Sequence, residues 1–148
     1  MNVIYGGIDD EIDGTDEADG IYAGVGNDWV FGHGGDDEIQ GADGEDVLYG
    51  GGGGDTLDGG EDNDRLYGGD GDDVLYGGGD SHYAATDTND DRLSGGAGND
   101  RLYGQSGHDF LDGGTGNDTL YGGTGKDRLE GGEGDDTLDG GTHDDTLD

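Results

Sequence analysis

Residues 95–103 read Gly-Gly-Ala-Gly-Asn-Asp-Arg-Leu-Tyr, and near-copies of this stretch fill almost the whole chain. Nine-residue frames laid from Tyr5 to Asp148 divide 144 residues into 16 copies and leave only Met1 to Ile4 outside. A short fixed period is typical of repeat architectures, in which each unit packs on its neighbours. The period therefore decides the class of fold before any single residue does.

Two positions of the frame hold nearly constant chemistry. Position 8 is aliphatic, and only Ala84 is small. Position 6 is Asp in 15 of the 16 frames, with His82 as the exception. The position-6 residues are Asp10, Asp19, Asp28, Asp37, Asp46, Asp55, Asp64, Asp73, Asp91, Asp100, Asp109, Asp118, Asp127, Asp136 and Asp145.

The two halves of the frame predict a turn and a short strand. Positions 1 to 6 are rich in Gly, Asp and Asn, which tolerate positive φ and form tight turns. Positions 7 to 9 alternate outward, inward and outward, as in Thr56-Leu57-Asp58. One circuit with two sheets needs two frames. The sequence thus predicts an all-β coil, a β-solenoid of about eight 18-residue rungs with two short-stranded parallel sheets.

Composition sets strict limits on what can hold such a fold together. The chain has 40 Gly, no Pro, no Cys and a formal net charge of -34, with 39 acidic residues against 5 Lys and Arg. A chain of this kind is expected to be disordered on its own, so cations must accompany folding. The sign of the charge excludes nucleic acid as a partner and disfavours an anionic membrane surface. No apolar run is long enough for membrane insertion.

The recurring Asp predicts oxygen-ligated cations. Stacking the turns brings position-6 carboxylates of alternate frames close together, along with backbone carbonyls that the glycine turns point inward. Such an all-oxygen cage suits Ca²⁺ better than Mg²⁺, which demands a stricter octahedron and keeps its water. Zinc lacks ligands, since there is no Cys and the four His fall in different frames and positions. The competing interpretation is that the Asp residues only form turns and carry charge.

The best-preserved frames resemble a known family. Six of them, starting at Gly50, Gly68, Gly95, Gly113, Gly122 and Gly131, follow the pattern G-G-x-G-x-D-x-U-x of the RTX or hemolysin-type calcium-binding repeats. The resemblance implies a right-handed parallel β-roll (β-solenoid) with calcium-binding turns. In such a roll each ion lies between adjacent turns, bound by position-6 Asp and by carbonyls of the first four positions. The carbonyls it assigns are those of Gly51, Gly53, Gly69, Gly71, Gly96, Gly98, Gly114, Gly116, Gly123, Gly125, Gly132 and Gly134.

The repeat is interrupted within one predicted domain, residues 1–148. Regular repeats cover residues 5–76 and 95–148, and residues 77–94 form an irregular rung or an insertion. Either this rung stays in register, or the nine residues 81–89 loop out and Asp80 is followed in space by Asp90. The in-register interpretation is preferred, because it gathers the aromatic residues at positions 7 and 9 on one sheet. That interaction face would hold Trp29, Phe31, Tyr49, Tyr67, Tyr103 and Tyr121.

The in-register interpretation also fixes the expected number of ions. One row of turns runs through Asp73 and Asp91 to Asp145 and has 7 gaps, and the other row is broken at His82 and has 3 + 2 = 5 gaps. Twelve Ca²⁺ ions would bring the formal charge from -34 to -34 + 24 = -10.

The predicted function is a calcium-binding module that folds on binding many Ca²⁺ ions in the extracellular space, as part of or alongside a secreted protein. The start of the chain lacks a basic n-region and an apolar h-region, so secretion without an N-terminal signal peptide is expected. RTX chains often leave bacteria by one-step export, guided by a signal beyond the repeats. No motif for catalysis is present, and the module is predicted not to be an enzyme.

An alternative function is an extracellular structural, adhesive or polysaccharide-interacting module that uses the aromatic face. Polysaccharide, a second copy and a parent protein are then the expected partners besides calcium. An ice-binding surface of outward Thr and Asn is supported in one frame only, by Thr115 and Asn117.

Overall fold

The computed structural model describes residues 1–79 and 89–148, which coil into two parallel eight-stranded sheets. The odd sheet contains, in spatial order, β1 (Asn2–Tyr5), β3 (Asp19–Val25), β5 (Glu38–Asp43), β7 (Thr56–Glu61), β9 (Val74–Gly78), β11 (Arg101–Ser106), β13 (Thr119–Thr124) and β15 (Thr137–Thr142). The even sheet contains β2 (Glu11–Thr15), β4 (Trp29–Gly34), β6 (Val47–Gly52), β8 (Arg65–Asp70), β10 (Arg92–Ala97), β12 (Phe110–Thr115), β14 (Arg128–Glu133) and β16 (Thr146–Leu147).

This architecture confirms the predicted class: an all-β solenoid of about eight rungs with two parallel sheets. The described part of the chain contains no helix, and so none that could span a membrane. The strands are longer than the predicted triplets. Most run through positions 7 to 9 and on to position 3 of the next frame, because the glycines there also pair in register, as Gly51 does with Gly69.

The core is a single file of position-8 side chains from each sheet. Register places Leu48 on Leu66 and Leu66 on Leu93 in the even sheet. Twelve of these residues are almost completely buried: Ile21, Val30, Ile39, Leu48, Leu57, Leu66, Leu75, Leu93, Leu102, Leu111, Leu120 and Leu129. The file thins at its ends, where Leu138 is only partly buried and Leu147 is 48% exposed.

The first rung is one residue shorter than the others. The nine-residue frames leave Met1 to Ile4 outside the repeat, but Asn2–Tyr5 forms β1 and pairs with β3. Its partners lie 17 positions away, since Ile4 lies beside Ile21. Ile4 packs against the core and takes the place of a position-8 residue. The solenoid therefore begins before the first recognisable frame.

The preferred in-register interpretation of residues 77–94 is wrong. Arg92 of β10 lies beside Arg65 of β8, and Arg101 of β11 lies beside Val74 of β9. The two strands of each pair are 27 positions apart, against 18 in the regular rungs. The pairing of the described strands therefore passes over nine residues. Residues 80–88 lie outside the described residues, and with them His82 and Ala84.

Core packing explains why a frame is skipped. In register, Ala84 would stand in the leucine file, and truncation of a core leucine to alanine typically costs about 2 to 5 kcal/mol. Skipping nine residues instead brings Leu93 onto Leu66 and Leu102 onto Leu75. Asn89 then takes position 4 of the interrupted turn, directly after Gly79 in space.

The skipped frame also divides the predicted aromatic face. Trp29, Phe31, Tyr49 and Tyr67 lie on the even sheet, but Tyr103 and Tyr121 lie on the odd sheet. Each sheet has its own ladder of stacked rings. Ring centroids are 5.1 Å apart for Phe31 and Tyr49 and 4.7 Å for Tyr49 and Tyr67. On the odd sheet, Tyr103 lies between Tyr76 and Tyr121, at 5.0 and 5.1 Å.

Candidate metal centres at the stacked turns

All 15 predicted position-6 Asp residues line up in two continuous rows along the solenoid, connected by hydrogen bonds. The even row contains Asp10, Asp28, Asp46, Asp64, Asp91, Asp109, Asp127 and Asp145. The odd row contains Asp19, Asp37, Asp55, Asp73, Asp100, Asp118 and Asp136. The predicted rows are corrected in one respect: Asp73 is followed by Asp100 and not by Asp91, so neither row is broken.

In every Asp except the first of each row, Asp10 and Asp19, one carboxylate oxygen holds the row together. The backbone N–H of Asp46 donates to Oδ1 of Asp64 at 2.8 Å, and that of Asp55 donates to Oδ1 of Asp73 at the same distance. Bonds of this kind connect every neighbouring pair in both rows. Each rung is thereby tied to the next by a charge-assisted hydrogen bond.

The second carboxylate oxygen is buried without a hydrogen-bond partner among the described residues. This is Oδ2 in Asp28, Asp37, Asp46, Asp55, Asp64, Asp73, Asp91, Asp100, Asp109, Asp118 and Asp127. Asp19 is arranged differently, because its Oδ2 accepts hydrogen bonds from the amide and hydroxyl of Thr15 and its Oδ1 is left without a partner. Burying an ionised carboxylate without full hydrogen bonding destabilises the folded state, and a cation bound beside these oxygens would offset that cost.

The glycine at position 1 keeps a space open beside that oxygen. A Cβ on Gly50 would lie 2.3 Å from Oδ2 of Asp55 and 2.8 Å from the carbonyl oxygen of Gly68 in the next rung. A Cβ on Gly59 would meet Asp64 and Gly77 in the same way. A side chain here would have to displace two oxygens from adjacent rungs, which favours glycine, although Ala23 occupies the same position in its frame.

The predicted carbonyl positions also face from one rung into the next. A Cβ on Gly71 would lie 1.7 Å from the carbonyl oxygen of Gly53, and one on Gly69 would lie 2.1 Å from that of Gly51. The carbonyls of Gly69, Gly71, Gly96, Gly98, Gly114, Gly116 and Gly123 point into the following turn in the same manner. For Gly125, Gly132 and Gly134 no glycine occupies the equivalent place in a following rung.

Degraded frames supply the same carbonyls without glycine. His33, Ala42 and Gln105 occupy position 2 with φ of 77°, 93° and 77°, in the left-handed region. Their carbonyl oxygens lie 2.1, 2.1 and 2.2 Å from a Cβ built on the next-rung glycine. The ligand here would be a backbone carbonyl. The position of a residue in the frame therefore predicts such a ligand, whereas the residue type does not. Sequence reasoning that followed glycine alone missed these three residues.

Sequence reasoning also missed a second ladder, at position 5. The backbone N–H of Asn117 donates to Oδ1 of Asn99 at 2.9 Å, and that of Asp135 donates to Oδ1 of Asn117 at 2.8 Å. Asp9, Asn27, Asp36, Asn63, Asp72, Asp90 and His108 accept in the same way. In this ladder the amide of the later rung is the donor, whereas in the position-6 rows it is the amide of the earlier rung. The recurring Asx at position 5 was the available signal.

Burial makes the carboxyl groups in the rows difficult to ionise. Desolvation raises the pKa of Asp64 to about 9 and that of Asp109 to about 8, with neighbouring Asp carboxylates adding to the effect. It raises the pKa of Asp73 and Asp91 to about 7. Hydrogen bonds from backbone amides work in the opposite direction. Without a cation, the carboxyl groups of Asp64 and Asp109 therefore favour the protonated, neutral form at neutral pH.

The donor set is one that hard cations prefer. Among residues 1–79 and 89–148, no three acidic or His side chains converge at one point. An ion between two turns would therefore meet two carboxylates of one row together with backbone carbonyls. Flexible all-oxygen sites of this type fit Ca²⁺, which takes about 6 to 8 oxygen ligands, whereas Mg²⁺ requires a near-ideal octahedron.

The fold and its carboxylate rows define a class of protein: a parallel β-roll whose stacked turns present rows of buried carboxylates. A family model for the RTX calcium-binding nonapeptide repeat matches residues 13–48, 22–57, 49–81, 86–120 and 121–148. The chain belongs to this family, and it is a calcium-binding repeat module. The boundary between the third and fourth matches falls in the skipped frame. A search of curated proteins finds no match to the chain.

Proposed function

We propose that this module is unfolded without Ca²⁺ and folds when the ions enter the gaps between its stacked turns, in the extracellular space. The observation that carries the proposal is the pair of Asp rows, in which 12 of the 15 residues have a buried carboxylate oxygen without a hydrogen-bond partner. The folded state brings these oxygens together, so the free energy of ion binding becomes free energy of folding.

Each gap between two neighbouring Asp residues in a row is proposed to hold one ion. The protein ligands would be the position-6 carboxylates of both turns and the carbonyls at positions 2 and 4. The even row offers 7 gaps and the odd row 6, which makes 7 + 6 = 13 in place of the expected 12. Thirteen Ca²⁺ ions would change the formal charge from -34 to -34 + 26 = -8.

The expected affinity for Ca²⁺ connects folding to the extracellular space. Extracellular calcium modules typically bind with Kd of about 10⁻⁴ to 10⁻³ M, which leaves such a chain free of ions in calcium-poor cytosol. The charge of -34 then keeps the chain expanded. We infer that folding awaits export and that the module supports a secreted protein by binding ions, not by catalysis.

A calcium titration tests the proposal. Far-UV circular dichroism should show a cooperative coil-to-β transition as CaCl₂ rises from an EDTA baseline to about 10 mM. Mg²⁺ over the same range is the matched control and should leave the coil unchanged. Titration calorimetry should give a stoichiometry near 13 ions per chain if every gap is filled. A β-sheet spectrum that persists in EDTA at neutral pH would contradict coupled folding.

A further inference from the structure

The aromatic ladder of the even sheet stops abruptly at Tyr67. Rings of Phe31, Tyr49 and Tyr67 stack nearly parallel, with interplanar angles of 5° and 9°. Within the ladder, each ring face is covered by the next ring. The residue beside Tyr67 in the following strand is Ser94, whose side chain is too small to continue the stack. The ring face of Tyr67 toward Ser94 is therefore open, and Tyr67 is 37% exposed.

A cleft of about 240 Å³ opens at this point, lined by Tyr67, Arg92, Leu93, Ser94, Phe110 and Asp112. Its two aromatic walls, Tyr67 and Phe110, belong to β8 and β12, with β10 between them. The two walls lie diagonally across β10, because Tyr67 is level with Ser94 and Phe110 is level with Arg92. They are separated by two strand spacings, about 9.6 Å, and by an offset of two residues along the strands. The open space beside Tyr67 leaves room for one ring-shaped group, with Phe110 at its far corner. The guanidinium of Arg128 lies 5.7 Å from the Phe110 centroid and supports that wall from the β14 side.

The cleft lies beside four neighbouring strands whose outward positions carry no acid; on the odd sheet, β9, β11 and β13 form a comparable but narrower stretch. On β4, β6, β8 and β10, positions 7 and 9 are Trp29/Phe31, Val47/Tyr49, Arg65/Tyr67 and Arg92/Ser94. The chain as a whole has 39 acidic residues in 148. Aromatic residues joined by arginine on an otherwise acidic surface are typical of a binding surface.

We propose that this cleft binds a single pyranose ring of a neutral polysaccharide. The aromatic walls offer apolar faces to the C–H groups of the sugar. Arg92 and Asp112, with opposite charges, offer a donor and an acceptor to its hydroxyls, as does Ser94. The volume is below the roughly 300 to 1,000 Å³ of pockets for drug-sized ligands, which suits one ring. The net negative charge of the chain selects against polyanionic glycans.

Ring replacement gives a sharp test of the proposed site. Ser94→Tyr would extend the ladder from Tyr67 and fill the cleft, so the fold is retained and the site is lost. Tyr67→Ala removes one wall. The matched control is Tyr121→Ala, because Tyr121 is also the last ring of a ladder, on the opposite sheet, and is similarly exposed at 39%.

The full chain in saturating CaCl₂ is tested against cellohexaose and methyl β-D-glucopyranoside by saturation-transfer NMR and calorimetry, with oligogalacturonate as the charged comparison. We expect cellohexaose to bind, and Ser94→Tyr and Tyr67→Ala each to weaken binding by at least about tenfold, equivalent to about 1.4 kcal/mol. Tyr121→Ala should bind like the unchanged chain. The proposal is overturned if neither neutral probe binds, if Ser94→Tyr binds normally, or if oligogalacturonate binds more tightly than cellohexaose.

Discussion

Residues 55–58 and residues 145–148 have the same sequence, Asp-Thr-Leu-Asp, but very different surroundings. In the first copy, Leu57 is fully buried and Asp55 is 1% exposed, with rungs stacked on both sides. In the second copy, Leu147 is 48% exposed and its strand pairs on one side only, with β14. Identical residues thus differ in burial because of their place in the stack. In such repeat folds, stability resides in the interfaces between neighbouring repeats.

The largest expected effect comes from pH in the absence of calcium. Burial raises the folded-state pKa of Asp55 from 3.8 to about 6 and that of Asp64 to about 9, so the folded state holds more protons than the unfolded state. The resulting stabilisation is complete below about pH 4 and is lost as pH rises through 6 to 9. Circular dichroism in EDTA should therefore show β-structure in acid and a coil at about pH 9.

Calcium should reverse this dependence, because the ion takes the place of the protons and binds more tightly as pH rises. Proton release measured by calorimetry in buffers of different ionisation enthalpy provides the check. An EDTA-treated chain that is equally folded at about pH 5 and pH 9 would refute the linkage.

Truncation of Leu57 and of Leu147, which hold the same place in the two copies, should give the next largest difference in unfolding free energy. In saturating calcium, Leu57→Ala removes a fully buried side chain from the file and should cost about 2 to 5 kcal/mol of unfolding free energy. Leu147→Ala changes an exposed end and should stay within about 0.5 kcal/mol. Urea unfolding at fixed calcium measures both. Equal losses would mean that the stack does not set the environment of each repeat.

The two equivalent aspartates should differ in the number of ions they control. Asp55 has a row neighbour on each side, Asp37 and Asp73, whereas Asp145 has only Asp127. Asp55→Asn should therefore remove two ions from the calorimetric stoichiometry and Asp145→Asn one. Both substitutions keep the Oδ1 acceptor, so the inter-rung hydrogen bond can remain. A loss of one ion from each variant would argue that ions do not bridge neighbouring turns.

The smallest effect is expected from removing the skipped frame. Deletion of residues 80–88 joins Gly79 to Asn89, which already meet in space, and should change stability by less than about 1 kcal/mol. Deletion of residues 95–103 is the matched control, since it also removes nine residues but takes a strand from the stack. That control should unfold far more easily in urea. If both deletions have the same effect, the skipped frame contributes as much as a regular one.

The repeat predicted the fold and the Asp rows because both depend on one short period. Position 8 of each frame predicted the buried file from Ile12 to Leu129, and position 6 predicted every Asp in the two rows. Both assignments use only the position of a residue within its own frame. They require no knowledge of which two frames are neighbours in space, only that equivalent positions stack.

The prediction failed where the pairing partner had to be chosen. The residues around Ala84 fit the frame by counting, and the aromatic positions favoured keeping them in register. That choice gave more importance to stacking between exposed rings, which contributes about 0.5 to 1.5 kcal/mol per pair. It gave less importance to the loss of a leucine side chain from the core, which costs about 2 to 5 kcal/mol. The carbonyls of His33, Ala42 and Gln105 were missed for a different reason, since any residue that tolerates positive φ can present a backbone oxygen.

A nine-residue insertion equals half a turn of this solenoid. Whether it joins the stack decides in which of the two sheets each later strand lies. If the nine residues form part of the stack, each later repeat lies in the opposite sheet. The outward-facing residues of the two sheets are then exchanged from that point onward. If the stack expels it, the pattern of faces continues unchanged, as it does from β8 to β10. A repeat chain of this kind can therefore accept new segments of any length as side loops, whereas segments built into the stack must come in whole turns of 18 residues to preserve its surfaces.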